Sequence, residues 1–139
     1  LGTSLSSYSE KFIGALPSDL RAVLKSVSKY TDNAGNSSTS AANVTATTDY
    51  LFLLAEYEVF GNISYANTNE SAKQAQYAYY SAGNSKIKYK HTDTETAAKW
   101  CLRSPYAGSS TGFISVDTSG SVTSYTACCS FGVAPGFCV

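Results

Sequence analysis

Charge is scarce in this chain: Asp, Glu, Lys and Arg make up only 14% of 139 residues, and ten basic residues balance ten acidic ones. Neutralising phosphates takes a clustered basic face, so nucleic acid is not an expected partner. The same shortage excludes a polybasic patch for anionic lipid. No apolar run approaches the roughly 20 residues that cross a bilayer, so membrane insertion is not expected either. Histidine occurs once, at His91, with no Cys, Asp pair or second His beside it. The base–nucleophile–orienter set of an acyl-transfer enzyme is therefore unsupported, and the protein reads as no enzyme. Methionine is absent, and neither a starting Met nor a signal peptide is visible. The expectation is a chain that begins inside a longer polypeptide or after processing.

What is abundant is Ser, Thr, Asn and Gly, with eleven tyrosines. Tyr offers large contact area at low entropic cost, and small polar residues adapt their hydrogen bonds. That balance suits an exported or particle-borne surface protein, so the expected location is extracellular. The length fits one domain, 1–139. Four cysteines, Cys101, Cys128, Cys129 and Cys138, all fall in the last 39 residues. Their spacing is not that of a zinc site, and neither a metal nor a cofactor is expected. On a strand the adjacent Cys128 and Cys129 would point to opposite faces. Two readings stay open: small buried thiols, or one or two disulfides such as Cys101 with Cys128 or Cys138.

Along the chain, Ser4–Ala15 carries Leu5, Tyr8, Phe12 and Ile13 at helical spacing. Pro17-Ser18-Asp19 opens the clearest helix, with Ser18 as N-cap and Leu20, Val23, Leu24, Val27 and Tyr30 as a core-packing face. Residues 31–48, nearly free of large apolar side chains, read as a long surface loop. Asn36, Asn43, Asn62 and Asn69 each head a glycosylation tripeptide, a pattern that chance supplies freely in so polar a chain. Asp49–Leu54 is an apolar run of strand length, followed by a turn of helix from Ala55 closed by Gly61. Glu56 and Glu58, two residues apart, do not share a helix face and read as structural. Glu70–Ser81 is a second amphipathic stretch, with Ala72, Gln76, Tyr79 and Tyr80 inward. Lys86–Lys90 alternates as a half-buried or edge strand, and His91 after it reads as a surface residue.

The frame of the sequence is Trp100-Cys101-Leu102-Arg103, a strand stopped by Ser104-Pro105. It holds the only tryptophan and one of two arginines. Alternation puts Trp100 and Leu102 on one face as core anchors and Cys101 and Arg103 on the other, with Arg103 bonding carbonyls or Glu56/Glu58. Strands follow at Phe113–Val116 and Ser121–Tyr125, joined by a turn over Asp117–Gly120. The fold class is α+β: two or three helices packed on a small antiparallel sheet.

Several pieces in this order carry a resemblance. They are Asp49–Leu54 with Glu56-x-Glu58-Val-Phe-Gly61, Tyr79-Tyr80, Trp100-x-Leu-Arg-Ser-Pro105, Phe113-x-x-Val116 with Gly120, and Gly132-Val-Ala-Pro-Gly-Phe137. Together, from about Tyr8 to Val139, they resemble a family of bacterial and phage surface domains of unknown function. That family is similar to the C-type-lectin-like fold, in the branch shared with formylglycine-generating enzymes and the variable proteins of diversity-generating retroelements. Members usually carry further N-terminal strands before the first helix. The Glu-Pro-Asn, Gln-Pro-Asp and Trp-Asn-Asp motifs of calcium-dependent sugar binding are missing, and the cysteines depart from the formylglycine-generating arrangement. The retroelement proteins imply a rigid scaffold with a C-terminal recognition patch. Here that patch is Tyr106, Ser109, Ser110, Thr111, Thr118, Ser124, Tyr125 and Ser130. The resemblance thus implies a non-catalytic binding or adhesion module on a phage particle or bacterial surface protein, recognising a host glycan or protein. The alternative is a structural domain, a capsid decoration or a tail or fibre spacer, whose partners are neighbouring copies or chains.

Overall fold

The computed structural model describes residues 13–139, so most of the helix expected over Ser4–Ala15 lies outside the described residues. The described chain is mixed α+β and mostly β, with short helices and three antiparallel sheets. Helix α1, Ser18–Val23, is one of them, and none of its residues is buried. Strand β1, Val27–Asp32, pairs with β2, Val44–Asp49, through an unbroken register from Val27 opposite Asp49 to Asp32 opposite Val44.

This corrects two expectations. The helix expected over 18–30 stops at Val23, and Leu24 already has extended dihedrals, φ −60° and ψ 134°. Ser18 is not its N-cap; Pro17 occupies that position, with no side-chain cap. None of the face meant for the core is fully buried: Val23 and Tyr30 are 51% and 37% exposed, and Leu20, Leu24 and Val27 are half-buried. The 31–48 loop is likewise partly strand: Thr31 and Asp32 end β1, a 3-10 turn spans Ala41–Asn43, and β2 begins at Val44. β-Branched Val and Thr favour the pleat, and pairing outweighed a helical apolar spacing that had little to bury against. Because β2 is exposed along nearly its whole length, no hydrophobic alternation marks it. Hydroxyl and amide contacts hold the ribbon, such as Ser28 Oγ to Thr48 Oγ1 at 3.2 Å and Asn33 Nδ2 to Thr45 Oγ1 at 2.7 Å.

Helix α2, Glu56–Phe60, ends at Gly61, whose φ of 71° is left-handed. That left-handed conformation is what requires glycine; a Cβ there would also meet Gln76 Oε1 at 2.5 Å, the end of a flexible side chain that can move aside. The apolar run before α2 forms a single bridge, Phe52 to Gly136, rather than a strand. The amphipathic stretch Glu70–Ser81 splits into a 3-10 turn, Thr68–Lys73, and a one-turn helix α3, Ala78–Ser81. Of its four expected inward residues, Tyr80 is buried, Gln76 is half-buried, and Ala72 and Tyr79 are exposed. Strands β3, Lys88–Lys90, and β4, Asp93–Ala98, form a second hairpin; the sequence carries no apolar signal for β4.

The third sheet is the meander β5, Trp100–Pro105; β6, Gly112–Val116; and β7, Val122–Thr126, in that spatial order. Trp100 and Leu102 are each 1% exposed while Cys101 and Arg103 are half-buried, the alternation of a strand with one face on the core. They join Ile114, Val116, Val59, Ala66 and Tyr80 in one apolar cluster. The indole N–H donates to the Lys86 carbonyl at 3.0 Å, so the ring is satisfied as well as buried. The C-terminal tail then crosses the molecule: Cys101 N–H donates to Gly132 O at 3.1 Å, Phe52 N–H to Gly136 O at 3.0 Å, and Lys25 N–H to Cys138 O at 2.9 Å.

Trp100→Ala is expected to cost about 3–5 kcal/mol, the range for emptying a packed aromatic site. A denaturant melt checks it, and a variant with the parent's midpoint would contradict the central position of this ring.

Candidate functional site

Polar side chains are unusually well buried beside this core. Glu56, Glu70 and Ser104 are 0% exposed, Asn67 1%, and Asp32 and Glu58 4%. Arg103, from the outer face of β5, holds Glu58 with a two-pronged contact, Nη1 to Oε2 at 2.6 Å and Nη2 to Oε1 at 2.8 Å. It also donates to Leu53 O at 2.7 Å and Thr31 Oγ1 at 2.6 Å, spending its planar fork on three segments. Lys29 Nζ is the second cation on Glu58, at 3.4 Å, and donates to Tyr77 OH at 2.6 Å. Glu56 faces elsewhere, as its spacing from Glu58 dictates. Its carboxylate accepts the backbone N–H groups of Ser64 at 2.7 Å and Ala66 at 2.7 Å, with Tyr65 between them. Glu70 accepts from Asp32 N–H at 2.9 Å, Ser104 Oγ at 2.7 Å and Gln74 Nε2 at 3.1 Å.

These carboxylates titrate in opposite directions. Burial pushes Glu58 up, but Arg103's hydrogen bonds and charge, then the Ala55 N–H and Lys29, outweigh it and hold the group low. Its stabilisation is complete above the unfolded pKa and is lost as pH falls through the folded one. Burial likewise pushes Glu70 up, and here the three donors do not offset it. Ionising Glu70 therefore costs the folded state more than the unfolded one. Its contribution declines as pH rises from the ordinary glutamate value of about 4.3 through the raised folded value. Glu70 is sealed from solvent, so this perturbed acid has no route to a substrate and serves the packing of the 3-10 turn against Ser104.

The proposed recognition residues lie further along the meander, and the structure separates them. Tyr106 follows β5 directly, half-buried, its ring edge-on to Tyr65 at 5.8 Å. Ser109, Ser110 and Thr111 share the β5–β6 connection, with Ser109 Oγ and Thr111 Oγ1 3.2 Å apart. Thr111 O accepts Ala127 N–H at 2.9 Å, which places this loop at the end of β7. Tyr125 stands opposite Phe113, and Ser124 opposite Ile114. Tyr125 therefore lies on the outer face of the sheet, whereas Ser124 turns to the core side. Thr118 sits in the Asp117–Gly120 turn, at the far end of the β6–β7 hairpin from the Ser109–Thr111 loop. Ser130 is exposed beyond the cysteine pair and lines a different cleft, with Tyr89, His91 and Lys99. The structure thus brings Tyr106, Ser109, Ser110, Thr111 and Tyr125 to one end of the meander, with Tyr106 packed on the core side and Tyr125 on the outer face, and leaves Thr118, Ser124 and Ser130 apart.

Two aromatic residues not counted among the candidates complete that face. Phe113 is 43% exposed, and Phe131 leans on Tyr125 with ring centres 5.1 Å apart. Lys99 Nζ lies 4.2 Å from the Tyr125 ring centre and donates to its hydroxyl. Between these rings, Leu53, Cys101 and Arg103 is a cavity of about 370 Å³. Ser115, at its base, is 1% exposed and its hydroxyl has no partner. The F-I-S-V pattern hid this surface, because a phenylalanine in an alternating strand reads as core.

All four cysteines are free. Burial pushes the Cys101 thiol up. Cys128 and Cys129 lie past the end of β7 in a turn, not on a strand, so the expected divergence does not occur. Both sulfurs approach one hydroxyl, Thr126 Oγ1, at 3.1 and 3.6 Å. Among the described residues no group of three or more His, Cys, Asp or Glu is placed to hold a metal ion, and no helix is long and apolar enough to cross a membrane.

Arg103→Ala leaves Glu58 buried without its main partner and is expected to cost about 3–5 kcal/mol in denaturant melts, with Arg103→Lys recovering only part. Glu70→Gln is expected to flatten the fall in unfolding free energy as pH rises above the ordinary glutamate range, relative to the parent chain. Parallel pH profiles would refute that assignment.

No curated protein and no solved structure matches the sequence. A family model described as a domain of unknown function, DUF6273, matches residues 3–139, and the chain belongs to that family.

Proposed function

We propose that this domain is a non-catalytic binding module, displayed on a phage particle or a bacterial surface protein, that recognises a protein or glycan on a host cell. We further propose that its frame is of the C-type-lectin-like kind. The observation that carries the reading is the outer face of the β5–β7 meander, where Phe113, Tyr125 and Phe131 surround a cavity beside the hydroxyl-rich Ser109–Thr111 loop. Aromatic rings grouped at a partly open cavity are the usual anchors of a recognition surface, and flanking hydroxyls supply adaptable hydrogen bonds. The buried acids argue against chemistry in the network, since each is consumed by a backbone or side-chain donor and lacks solvent access. Low overall charge supports a contact made by shape and aromatic area rather than by electrostatic steering.

Tyr125→Ala and Phe113→Ala should each weaken attachment to target cells about tenfold, as for aromatic anchors, with the fold kept. Tyr106→Ala should weaken it and also cost stability, because that ring packs against the core cluster. Attachment is read by surface-bound target cells or a glycan array, with circular dichroism as the control for folding. Unchanged attachment by the Tyr125 and Phe113 variants would overturn the reading. A domain that assembles with its own copies and binds no target would instead favour the structural alternative.

A further inference from the structure

The turn that follows β7, at the rim of the cavity that Cys129 helps line, carries a chemistry of its own. The turn after β7 exposes two adjacent thiols to solvent. Cys128 Sγ lies 3.1 Å from Thr126 Oγ1 and Cys129 Sγ 3.6 Å from the same atom, so the pair converges on one point. We propose that Cys128 and Cys129 are a vicinal dithiol modification site that takes up oxidising equivalents from a low-molecular-weight disulfide and closes reversibly into a disulfide between neighbours. The inference does not rest on the binding reading, but the two sites adjoin, since Cys129 also lines the cavity.

The hydrogen bond to Thr126 Oγ1, then that from Cys129, draws the Cys128 thiol below its ordinary range. Thiolate is the attacking species in exchange. Cys128 thiolate attacks one sulfur of the donor disulfide, forming a mixed disulfide and releasing the first donor thiol. Cys129 thiolate then attacks the Cys128 sulfur, forming the intrachain bond and releasing the second donor thiol. Two protein thiols are oxidised, the donor disulfide is reduced to two thiols, and the two protons leave with them. Reversibility follows from geometry. Neighbouring Cα atoms stand about 3.8 Å apart, shorter than the roughly 4.4–6.8 Å of ordinary disulfides. The closed ring is therefore strained, and strained exposed disulfides are the labile ones. Cys101 is a poor competitor, because it is half-buried and its thiol is pushed up.

The test treats the whole chain with oxidised glutathione at neutral pH, alkylates the remaining thiols and maps the peptides. The expected product lacks two hydrogens, retains no glutathione, and is blocked only at Cys128 and Cys129, with dithiothreitol restoring both. Cys129→Ser should trap one glutathione on Cys128, and Cys128→Ser should slow modification about tenfold. Glutathione spread evenly over the four cysteines, a cross-link through Cys101 or Cys138, or full alkylation of Cys128 and Cys129 after treatment would each overturn the proposal.

Discussion

The contact between Arg103 and Glu58 sets the terms for the rest of the molecule. Arg103 stands on the outer face of β5, and its guanidinium reaches the backbone before α2 at Leu53 and the β1 strand at Tyr30 and Thr31. One side chain thereby ties β5 to the β1–β2 hairpin and to the start of α2. Glu58 in turn accepts Ala55 N–H at 2.9 Å, so the same carboxylate fixes the start of α2. A lysine has no fork with which to make these contacts together.

Only one guanidinium is present at the centre, yet several carboxylates are buried around it. The others are satisfied by the chain itself. Glu56 organises the 64–66 turn through consecutive backbone donors, and Glu70 joins the end of β1 to Ser104, which takes Glu56 N–H at 3.1 Å. Asp32 closes the circuit through Asn67 Nδ2 at 2.8 Å. A small apolar cluster under one sheet would not position the β1–β2 hairpin, which is largely exposed. The polar circuit does so with directional bonds whose removal leaves buried charge, which is why such networks specify one arrangement.

The C-terminal meander was legible in the sequence because its signals are local. Proline ends β5, Asp117–Gly120 is a turn by composition, and Trp100 and Leu102 alternate with Cys101 and Arg103. The first part was legible at the start of the helix at Ser18, at the turn of helix closed by Gly61, whose left-handed terminus demands glycine, and at the inward Tyr80. Elsewhere Leu20, Val23, Leu24, Val27 and Tyr30 formed a helical stripe in the sequence, but the helix ends at Val23, and Val27 and Tyr30 belong to β1. Thr45, Thr47 and Thr48 are polar and exposed, so strand β2 is set by pairing with β1 rather than by burial. Glu70 gave no warning of its role, since the residues that hold it lie up to 38 positions away. Of the proposed recognition residues, Tyr106, Ser109, Ser110, Thr111 and Tyr125 come to one end of the meander, but Ser124 does not join Tyr125 on the outer face, because composition selects residue types and is blind to the period of two.

That period has a consequence for how a surface of this kind changes. On β6 and β7 the outward positions are Phe113, Ser115 and Tyr125, and the inward ones are Ile114, Val116 and Ser124. Outward side chains line the cavity, not the cluster around Trp100. Substituting them alters shape and hydrogen bonding at the surface while leaving the core anchors in place. Phe113 and Tyr125 are free in this sense; Ser124 is not, since a large side chain there enters the packed side beside Ile114. Arg103 is the exception that couples the two layers, lining the cavity while holding Glu58. A ligand that displaced its guanidinium would loosen the hairpin as well as fill the site. The cavity therefore favours an occupant that leaves Arg103 with Glu58, an uncharged group that fills space between the rings.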